Sequence, residues 1–391
     1  MENTEKFYTK AQVWVKPAMI SGVIGVVLSI AGAFINREQF YFSYLTAYVF
    51  WAGIVLGGLF FTMIHHISGA VWSTVLRRIM ESLMVAAPVI VVLFIPLIFG
   101  IHDLYHWSHE DAVAGDALLQ KKAGYLNIPF FIIRSFVYLA VWTLLALMLY
   151  RKSIAQDKAF DAGEQMKIKR ISAPGIVVFA LTITFAAFDW LMSLDPHWYS
   201  TIFGVYIFAG SFLSAQAFII LFGLGYRKKG ILKDIITIEH YHDLGKFLFA
   251  FTIFWGYMAF SQYFLIWYAN IPEETIWYQH RWGGNWKVIT MVLVFGHFLI
   301  PFLGLMPRAA KRNLTYLKGM SIWILIMHFI DIYWVVMPTI HEHGFRFSWI
   351  DLATFLGIGG IVVWYSARKF NSGALVPVND PKLDESIHHI N

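Results

Sequence analysis

The sequence predicts an all-α integral membrane protein with ten transmembrane helices. Of the 391 residues, 58% are hydrophobic and 14% are charged, whereas soluble domains have about 25% charged residues. The mean hydropathy is +0.60. Apolar residues also fall into ten segments of about 20 residues, the length with which a helix crosses a hydrocarbon core of about 30 Å. Consecutive rather than alternating apolar positions, as in 85–99, favour helices over membrane strands.

The predicted spans follow one another through the whole chain, which we interpret as a single polytopic membrane domain, 1–391. Their limits are 16–35, 43–67, 79–101, 128–150, 174–194, 200–224, 245–269, 286–306, 316–337 and 347–368. The polar tail, 369–391, contains two prolines and too little apolar content to fold alone. The sequence leaves open whether it is a cytoplasmic contact arm or a disordered end.

The distribution of cations predicts the orientation. Of the 30 Lys and Arg residues, 22 flank the spans on the side of the termini, six lie on the other side, and Arg134 and Lys246 lie inside predicted helices. Cytoplasmic loops are enriched in Lys and Arg. Both termini are therefore expected in the cytoplasm. The formal net charge of +6 does not indicate a nucleic-acid partner.

The absence of Cys limits the chemistry of the chain. Disulfides, thiolate metal sites, Cys-ligated iron–sulfur clusters and Cys nucleophiles are excluded. No Walker loop, dinucleotide-binding fingerprint or zincin motif occurs, so nucleotide-driven and proteolytic functions have no supporting residues. Redox cofactors would therefore need histidine ligands or a partner chain.

Two sequence features indicate an internal repeat. The segment YVFWAG (48–53) resembles YIFAG (206–210), and Asp189 and Asp331 each precede a proline by seven residues. Helices two and six enter the membrane from the same face, as do helices five and nine. The pattern predicts two parallel four-helix bundles, 43–196 and 200–338, flanked by helices one and ten. The alternative is coincidence, because Tyr, Gly and Pro are common in membrane helices.

Ionisable residues at membrane depth are costly and usually face a bundle interior or a water-filled cavity. Arg134 and Asp189 lie at similar depth near the external ends of helices four and five, so an ion pair between them is expected. We interpret the pair as the external part of a proton route. A purely structural pair, or an arginine that extends to the membrane surface, is the alternative.

His297, His328 and Asp331 form the most distinctive predicted cluster. The two histidines lie near the middle of helices eight and nine, and Asp331 is one turn from His328 on the same face. A neutral imidazole beside a carboxylate can take and pass a proton. A proton or quinone-linked role is the favoured interpretation. Hydrogen-bonded core histidines and bis-histidine haem ligation are the alternatives.

His65, Glu81 and Lys246 are weaker candidates for the internal entrance of the same route. They lie at the internal ends of helices two, three and seven, where charged side chains need no function. Tyr257 and Ser261 follow Lys246 on one helical face, and this stripe could support a water wire. No catalytic residue and no metal ligand is assigned.

The external loop 102–127 carries three histidines, His102, His106 and His109, with weak metal-like spacing. No helix is predicted in this loop. The neighbouring Trp107 and Trp198 resemble an interfacial aromatic belt. Close Gly pairs, 53/57 and 357/360, predict close contacts between helices.

Three motifs in order resemble the F subunit of bacterial alternative complex III, in the NrfD/PsrC-like group. They are GGLFFTMIHHISGA (57–70) with Trp72-Ser73, SLDPHWYSTIFG (193–204) and HYHDLGK (240–246). The resemblance spans nearly the whole chain. It implies a core of two four-helix bundles, which agrees with the repeat.

The resemblance further implies a respiratory complex that oxidises menaquinol or another quinol and passes electrons to cytochrome c or to a terminal oxidase. The implied partners are a sister ten-helix quinol-binding subunit, an external iron–sulfur protein, multihaem cytochrome c subunits and small membrane anchors. Haem c and iron–sulfur clusters belong to those partners, and this chain binds no redox cofactor. Its implied roles are assembly and a proton path.

Two other classes of function remain open from the residues. A secondary transporter would also contain repeats and buried charges, but transporter repeats are usually inverted and have matched broken helices. Here the repeat is parallel, and Pro88 and Pro96 in helix three have no equivalent in helix seven. A purely structural membrane anchor of a redox complex would need none of the buried charges.

Overall fold

Ten helices long and apolar enough to cross a membrane are present in a computed structural model, which describes residues 7–8, 11–342 and 344–390. No strand occurs in these ranges. The prediction of an all-α membrane protein with ten spans is confirmed. The helices are α1 (Val15–Ile35), α2 (Arg37–Ser68), α3 (Thr74–Phe99), α4 (Ile128–Ala155), α5 (Ala162–Trp190), α6 (Phe203–Lys228), α7 (Ile238–Ala269), α8 (Trp286–Leu305), α9 (Leu314–Val336) and α10 (Trp349–Phe370).

Several helices begin before the predicted apolar segment because their first turns are polar. The side chain of Asn36 accepts a hydrogen bond from a backbone N–H at the start of α2, and Asp161 does so for α5. Thr237 and His240 form a capping box at the start of α7. Such caps satisfy N–H groups that have no partner within the helix. Hydropathy alone finds only the apolar part of each helix.

Two of the ten helices are irregular. α3 consists of a short 3₁₀ turn and two α-helical segments, Arg77–Met84 and Ala87–Phe99, and Pro88 lies at the start of the second segment. α8 contains a π-helical segment, Leu293–Leu299, just before Pro301. Proline lacks the N–H of a regular helix and displaces the preceding turn. π-helical turns often occur at functional sites, and His297 lies on this one.

α2 and α6 form the centre of the molecule, and most of each helix is buried. The two approach closely through small residues. A Cβ atom added to Gly57 would lie 2.3 Å from Cβ of Ala215, and one added to Gly53 would lie 2.7 Å from Oγ of Ser211. The predicted role of the Gly53/Gly57 pair in a close helix contact is confirmed.

α1 and α10 also pack through glycines. A Cβ added to Gly25 would lie 2.1 Å from the backbone nitrogen of Gly357, and one added to Gly360 would lie 2.2 Å from that of Gly22. α10 in turn packs on α2, where Trp51 Nε1 donates to the carbonyl of Phe355 at 3.0 Å. The α1/α10 pair is thus attached to the central helices.

The remaining helices surround this centre. α3, α4 and α5 lie on the side of α2, while α7, α8 and α9 lie on the side of α6. Contacts also cross between these groups, because α5 packs on α6 and α9 packs on α2. The division into two four-helix bundles, 43–196 and 200–338, remains a prediction.

Large apolar side chains cover the outer surface of the helices. Val27 on α1 is 61% exposed, and Val177 on α5 is 60% exposed. Large exposed apolar areas are unfavourable in water. This surface suits a lipid environment and supports the multi-pass assignment.

The chain termini meet at one end of the helices. The backbone N–H of Leu375 donates to the carbonyl of Phe7 at 2.8 Å. We call this end the terminal face and the opposite end the distal face. Leu375 and Val376 are buried, and Lys382 Nζ donates to the carbonyl of Gly69 at 2.6 Å. The described tail therefore packs along the terminal face.

The loop 102–127 differs from the sequence-based expectation. It contains the short helices Ile101–Leu104, His106–Ser108, Glu110–Gly115 and Ala117–Lys122. Trp107 and Trp198 are buried rather than exposed to lipid headgroups, and Trp198 stacks on Trp277 with ring centroids 4.4 Å apart. The expectation of an interfacial aromatic belt was wrong for these two side chains.

The α1/α10 contact predicts a position-dependent effect of side-chain size. Gly25→Leu is expected to destabilise the protein by about 1–3 kcal/mol, because the new side chain overlaps the α10 backbone. Gly319→Leu is the control, since Gly319 on α9 has no neighbouring atom within 4 Å of an added Cβ. The difference in stability is measured by thermal unfolding in detergent, with loss of monodispersity as the readout. Equal unfolding temperatures for the two variants would contradict the packing argument.

Candidate functional site

Arg134 on α4 and Asp189 on α5 form the predicted ion pair near the distal face. Nε and one terminal nitrogen of Arg134 donate to the two carboxylate oxygens of Asp189 at 2.8 and 2.9 Å. The hydroxyl of Tyr138 donates to the same carboxylate at 2.8 Å. Asp189 is fully buried and Arg134 nearly so. A two-pronged contact of this kind compensates part of the cost of removing both charges from water.

Tyr125 covers this ion pair on the distal side. The centre of the Arg134 guanidinium lies 3.7 Å from the Tyr125 ring centroid, and the remaining terminal nitrogen donates to the Tyr125 carbonyl at 2.9 Å. Burial, together with the charge of Asp189, raises the pKa of Tyr125 to about 12. Tyr125 also lines a cavity of about 330 Å³ with Lys122 and Ser193. Burial lowers the pKa of Lys122.

The predicted midplane group is brought together around Asp331 on α9. The hydroxyl of Tyr206 on α6 donates to one carboxylate oxygen, and Trp255 Nε1 on α7 donates to the other at 3.0 Å. Nδ1 of His328 lies 3.7 Å from the carboxylate. We call His297, His328, Asp331, Tyr206 and Trp255 the midplane cluster.

The imidazoles of this cluster have no hydrogen-bond partner among the described residues. His297 and His328 are buried, and all four ring nitrogens are unpartnered among the described residues. Their ring centroids are 6.1 Å apart, and the His297 ring lies 3.9 Å from that of Trp255. Buried polar groups normally have partners, so unpartnered ones call for an explanation. Packing against neighbouring apolar side chains does not satisfy these ring nitrogens.

Gly210 on α6 leaves the space that the His328 ring occupies. A Cβ added to Gly210 would lie 2.6 Å from Cε1 of His328, and the ring of Phe50 lies on the imidazole with a centroid distance of 5.6 Å. Gly210 belongs to the YIFAG segment of the predicted repeat. The glycine therefore provides space for a histidine at the membrane centre.

A buried arginine fixes the distal end of α9 above the cluster. Arg281, on the connecting helix Pro272–Trp282, donates to the carbonyls of Trp334 and Val335 at 3.1 and 2.8 Å. Its guanidinium lies 3.5 Å from the ring centroid of Trp277. Burial lowers its pKa to about 9, so the group stays protonated at neutral pH. Cations at a helix C-terminus also interact favourably with the helix dipole.

At the terminal face, His65 and Glu81 lie beside two buried arginines. Arg78 pairs with Glu81, and it also donates to Ser153 Oγ at 2.9 Å and to Asp157 at 2.6 Å. Nε of Arg77 lies 3.5 Å from Glu81. Nδ1 of His65 is 2.7 Å from Ser73 Oγ. The neighbouring His66 is buried, with neither ring nitrogen hydrogen-bonded among the described residues.

The C-terminal tail completes this terminal-face network. Asp380 accepts a hydrogen bond from Arg77 at 2.5 Å. Ser386 Oγ donates to the carbonyl of Trp72, and the Ser386 carbonyl lies 2.9 Å from Nε2 of His240 on α7. The tail thus joins the start of α3 to the start of α7.

Lys246 lies near the start of α7, at the terminal face. Its side chain is half exposed and pairs with Asp243 on the same helix, which also contacts His389 of the tail. Tyr257, on the stripe that follows Lys246, is 61% exposed on the lipid-facing surface. The exposed position of Tyr257 disfavours a water wire along this stripe.

The histidines of the distal loop make local contacts. Nε2 of His109 is 2.8 Å from the His102 carbonyl, and Nδ1 of His102 is 3.2 Å from Ser108 Oγ. Within the described ranges, no group of three or more His, Asp or Glu side chains is arranged to hold a metal ion.

Sequence reasoning missed several polar partners. Tyr138, Tyr206 and Trp255 are not among the predicted site residues, and neither is Asp351 at the start of α10. Asp351 is fully buried and accepts hydrogen bonds from Ser43 and Gln39 at 2.5 and 3.1 Å. The available sequence signal was position. Asp351 is an acid within a predicted span, and the three aromatic residues lie on predicted helices.

No protein-family model matches the chain, and no curated protein matches it. The candidate sites are therefore interpreted from their own geometry.

The distal ion pair predicts a double-mutant cycle with strong coupling. Asp189→Asn is expected to destabilise the protein by about 3–5 kcal/mol because it leaves the buried charge of Arg134 unpaired. Arg134→Gln combined with Asp189→Asn should cost less than the sum of the two single changes. Tyr138→Phe, which removes one donor, should cost about 1 kcal/mol. Unfolding in detergent measures all four variants, and strict additivity would contradict the pairing.

The tail contact predicts different effects of two aspartates on the same segment. Asp380→Asn is expected to destabilise the protein by about 1–3 kcal/mol, because Arg77 loses a charged hydrogen bond in a buried position. Asp384→Asn is the matched control, since that side chain is 91% exposed. Limited proteolysis of the tail and thermal unfolding should both separate the two variants. Equal resistance of the tail to proteolysis in the two variants would show that the Arg77 contact does not keep the tail on the terminal face.

Proposed function

We propose that this chain is an integral membrane subunit of a bacterial respiratory quinol:electron-acceptor oxidoreductase. It resembles the F subunit of alternative complex III and is not catalytic alone. Within that complex it provides a path for protons. The midplane cluster carries this proposal, because it places two unpartnered imidazoles beside a buried carboxylate inside a ten-helix membrane protein.

The chemistry of the midplane cluster suits proton transfer. Histidine changes protonation near neutral pH, and either ring nitrogen can hold the proton. The ring nitrogens of His297 and His328 are available because no hydrogen bond occupies them. Asp331 accepts from two donors, and an ionised carboxylate has about four acceptor positions. The Asp331 carboxylate can therefore accept a proton from His328 through one bridging water molecule or after one rotamer change.

The other buried charges suit the two ends of such a route. Arg134 and Asp189 stand below a distal cavity, and Arg77, Arg78 and Glu81 lie at the terminal face. In the proposal, Asp189 and Arg134 serve the distal half, and His65 and Glu81 serve the terminal half. Lys246 is the weakest member because it is half exposed and paired on its own helix.

The three family-like motifs support the assignment to this complex. The motifs 57–70 and 240–246 both end at the terminal face, and the rings of Trp72 and Phe247 stack there at 5.8 Å. In the proposal, this chain holds no redox cofactor. Its partners carry haem c and iron–sulfur clusters, and menaquinol or another quinol is the substrate. The positive-inside pattern supports the bacterial cytoplasmic membrane with both termini in the cytoplasm.

One structural observation disfavours the secondary transporter. In the predicted repeat α7 is the counterpart of α3, yet α7 is continuous from Ile238 to Ala269 while α3 is interrupted. Transporters usually have broken helices at matching places. A purely structural anchor of the same complex is the remaining alternative, and the mutants below distinguish it.

The first test is purification of the tagged chain from its native membranes in mild detergent. We expect a multihaem cytochrome, an iron–sulfur protein and a second ten-helix chain to accompany it, with haem bands in the absorption spectrum. Mass spectrometry identifies the partners. A chain that is recovered alone and colourless would overturn the assignment.

The second test is proton pumping by the complex in proteoliposomes. His328→Ala and Asp189→Asn are expected to reduce the number of protons released per electron, because each removes a proposed proton carrier. His388→Ala and Asp384→Asn, both on exposed tail positions, are the matched controls. If the first two variants keep wild-type turnover and pumping, the proton route is wrong and the structural anchor is favoured.

A further inference from the structure

A cavity of about 550 Å³ lies between α7 and α8 in the distal half of the membrane. This volume is within the range of about 300–1,000 Å³ that is typical of small-molecule pockets. Tyr278 and Trp282 of the connecting helix Pro272–Trp282 line its distal end, and Asp331 and Tyr206 line its inner end. It therefore reaches from the distal face to the midplane cluster.

The cavity is open to lipid. Ile253 and Phe260 from α7 and Val294 from α8 are lining residues, and all three are exposed on the outer surface of the helices. Phe260 is 62% exposed. Gly256 holds the two helices together beside this opening, since an added Cβ would lie 2.4 Å from the ring of Phe298. A ligand can enter sideways from the bilayer without crossing water.

The charge of the lining limits the class of ligand. The lining contains one carboxylate, Asp331, and neither Lys nor Arg. A phosphate headgroup would find no cation there and would be repelled by the carboxylate. Nine of the 17 lining residues are aromatic, and flat aromatic walls favour a planar ring by stacking. The lining therefore favours an uncharged, ring-shaped head on an apolar chain.

The polar groups along the lining suit a head that both donates and accepts hydrogen bonds. Among the described residues, Asp331 accepts from Tyr206 and Trp255, so lone pairs of its carboxylate remain for a hydroxyl of a ligand. Tyr278 accepts from Gln262 at 3.2 Å, which leaves its own hydroxyl proton for a ligand oxygen. A hydroquinone has the hydroxyl groups for both contacts.

We propose that this cavity binds a quinol, with its ring beside Asp331 and its isoprenoid chain extending between α7 and α8 into the lipid. The choice of a quinol rests on the proposed function, whereas the neutral ring-headed class follows from the lining. Binding here places a hydroxyl of the ring next to the carboxylate of the midplane cluster. The site is distinct from the distal cavity beside Tyr125 and Lys122, which lies against α5.

The test uses the purified full chain in phosphatidylcholine nanodiscs, with menaquinol-2 as the probe. Binding is measured as probe retained per chain over a range of concentrations under anaerobic conditions. Ala259→Trp and Val294→Trp fill the cavity from α7 and α8, and each is expected to weaken binding at least about tenfold, or about 1.4 kcal/mol. Leu265→Trp is the matched control, because Leu265 faces lipid on α7 but does not line the cavity.

The outcomes separate this inference from the proposed function. Unchanged affinity in both filling variants, with wild-type unfolding temperatures, would overturn the site. Stoichiometric phospholipid in the mass spectrum of the delipidated chain, without retained menaquinol, would assign the cavity to a structural lipid instead. Quinol binding by a chain that co-purifies with no redox partner would support the cavity and contradict the respiratory assignment, whereas co-purification without quinol binding would do the reverse.

Discussion

The close contact between α2 and α6 is the interaction on which the rest of the structure depends. Gly53 and Gly57 let the two backbones approach, and the side chains that would otherwise separate them are small. In a bilayer, helices gain little from hydrophobic burial against one another, so association depends on close packing and interhelical hydrogen bonds. Once α2 and α6 are joined, each outer helix has a buried partner. The candidate sites lie among those outer helices, and Tyr206 of α6 joins the midplane cluster to the central pair.

Two acids in equivalent positions of the predicted repeat have different partners. Asp189 receives a guanidinium and a phenol, so its charge is compensated within the pair. Asp331 accepts hydrogen bonds from a phenol and an indole, and its basic neighbours in the described part of the chain are histidines. A guanidinium compensates the charge of a buried carboxylate directly, whereas a phenol and an indole compensate it only through hydrogen bonds. In the proposed route, Asp189 therefore has a fixed cation beside it, whereas Asp331 has imidazoles that can take up a proton.

The sequence was sufficient for the fold class and for several contacts but not for the partners that define the sites. Span length and apolar content determine the helix count because the bilayer permits few alternatives. The Arg134–Asp189 pair was predictable, since both charges lie at one depth on adjacent helices. Tyr206 and Trp255 were not, because an aromatic residue on a buried helix has the same sequence signal whether its polar atom points to an acid or to a carbonyl. The tail contacts were not predictable either, because the segment after Lys369 has no apolar periodicity from which its packing could be inferred.

The unpartnered imidazoles and the adjoining cavity have a common physical consequence. An unpartnered buried polar group costs free energy, and a lipid-accessible cavity forfeits packing contacts. Both features occur in one region. It extends from Gly210, which makes room for His328, to the opening that lies between Phe260 and Val294. A structural anchor could fill this region with larger apolar side chains and become more stable. In the proposed function, polar groups and open space occur together here because a ligand brings a proton to the cluster and then leaves.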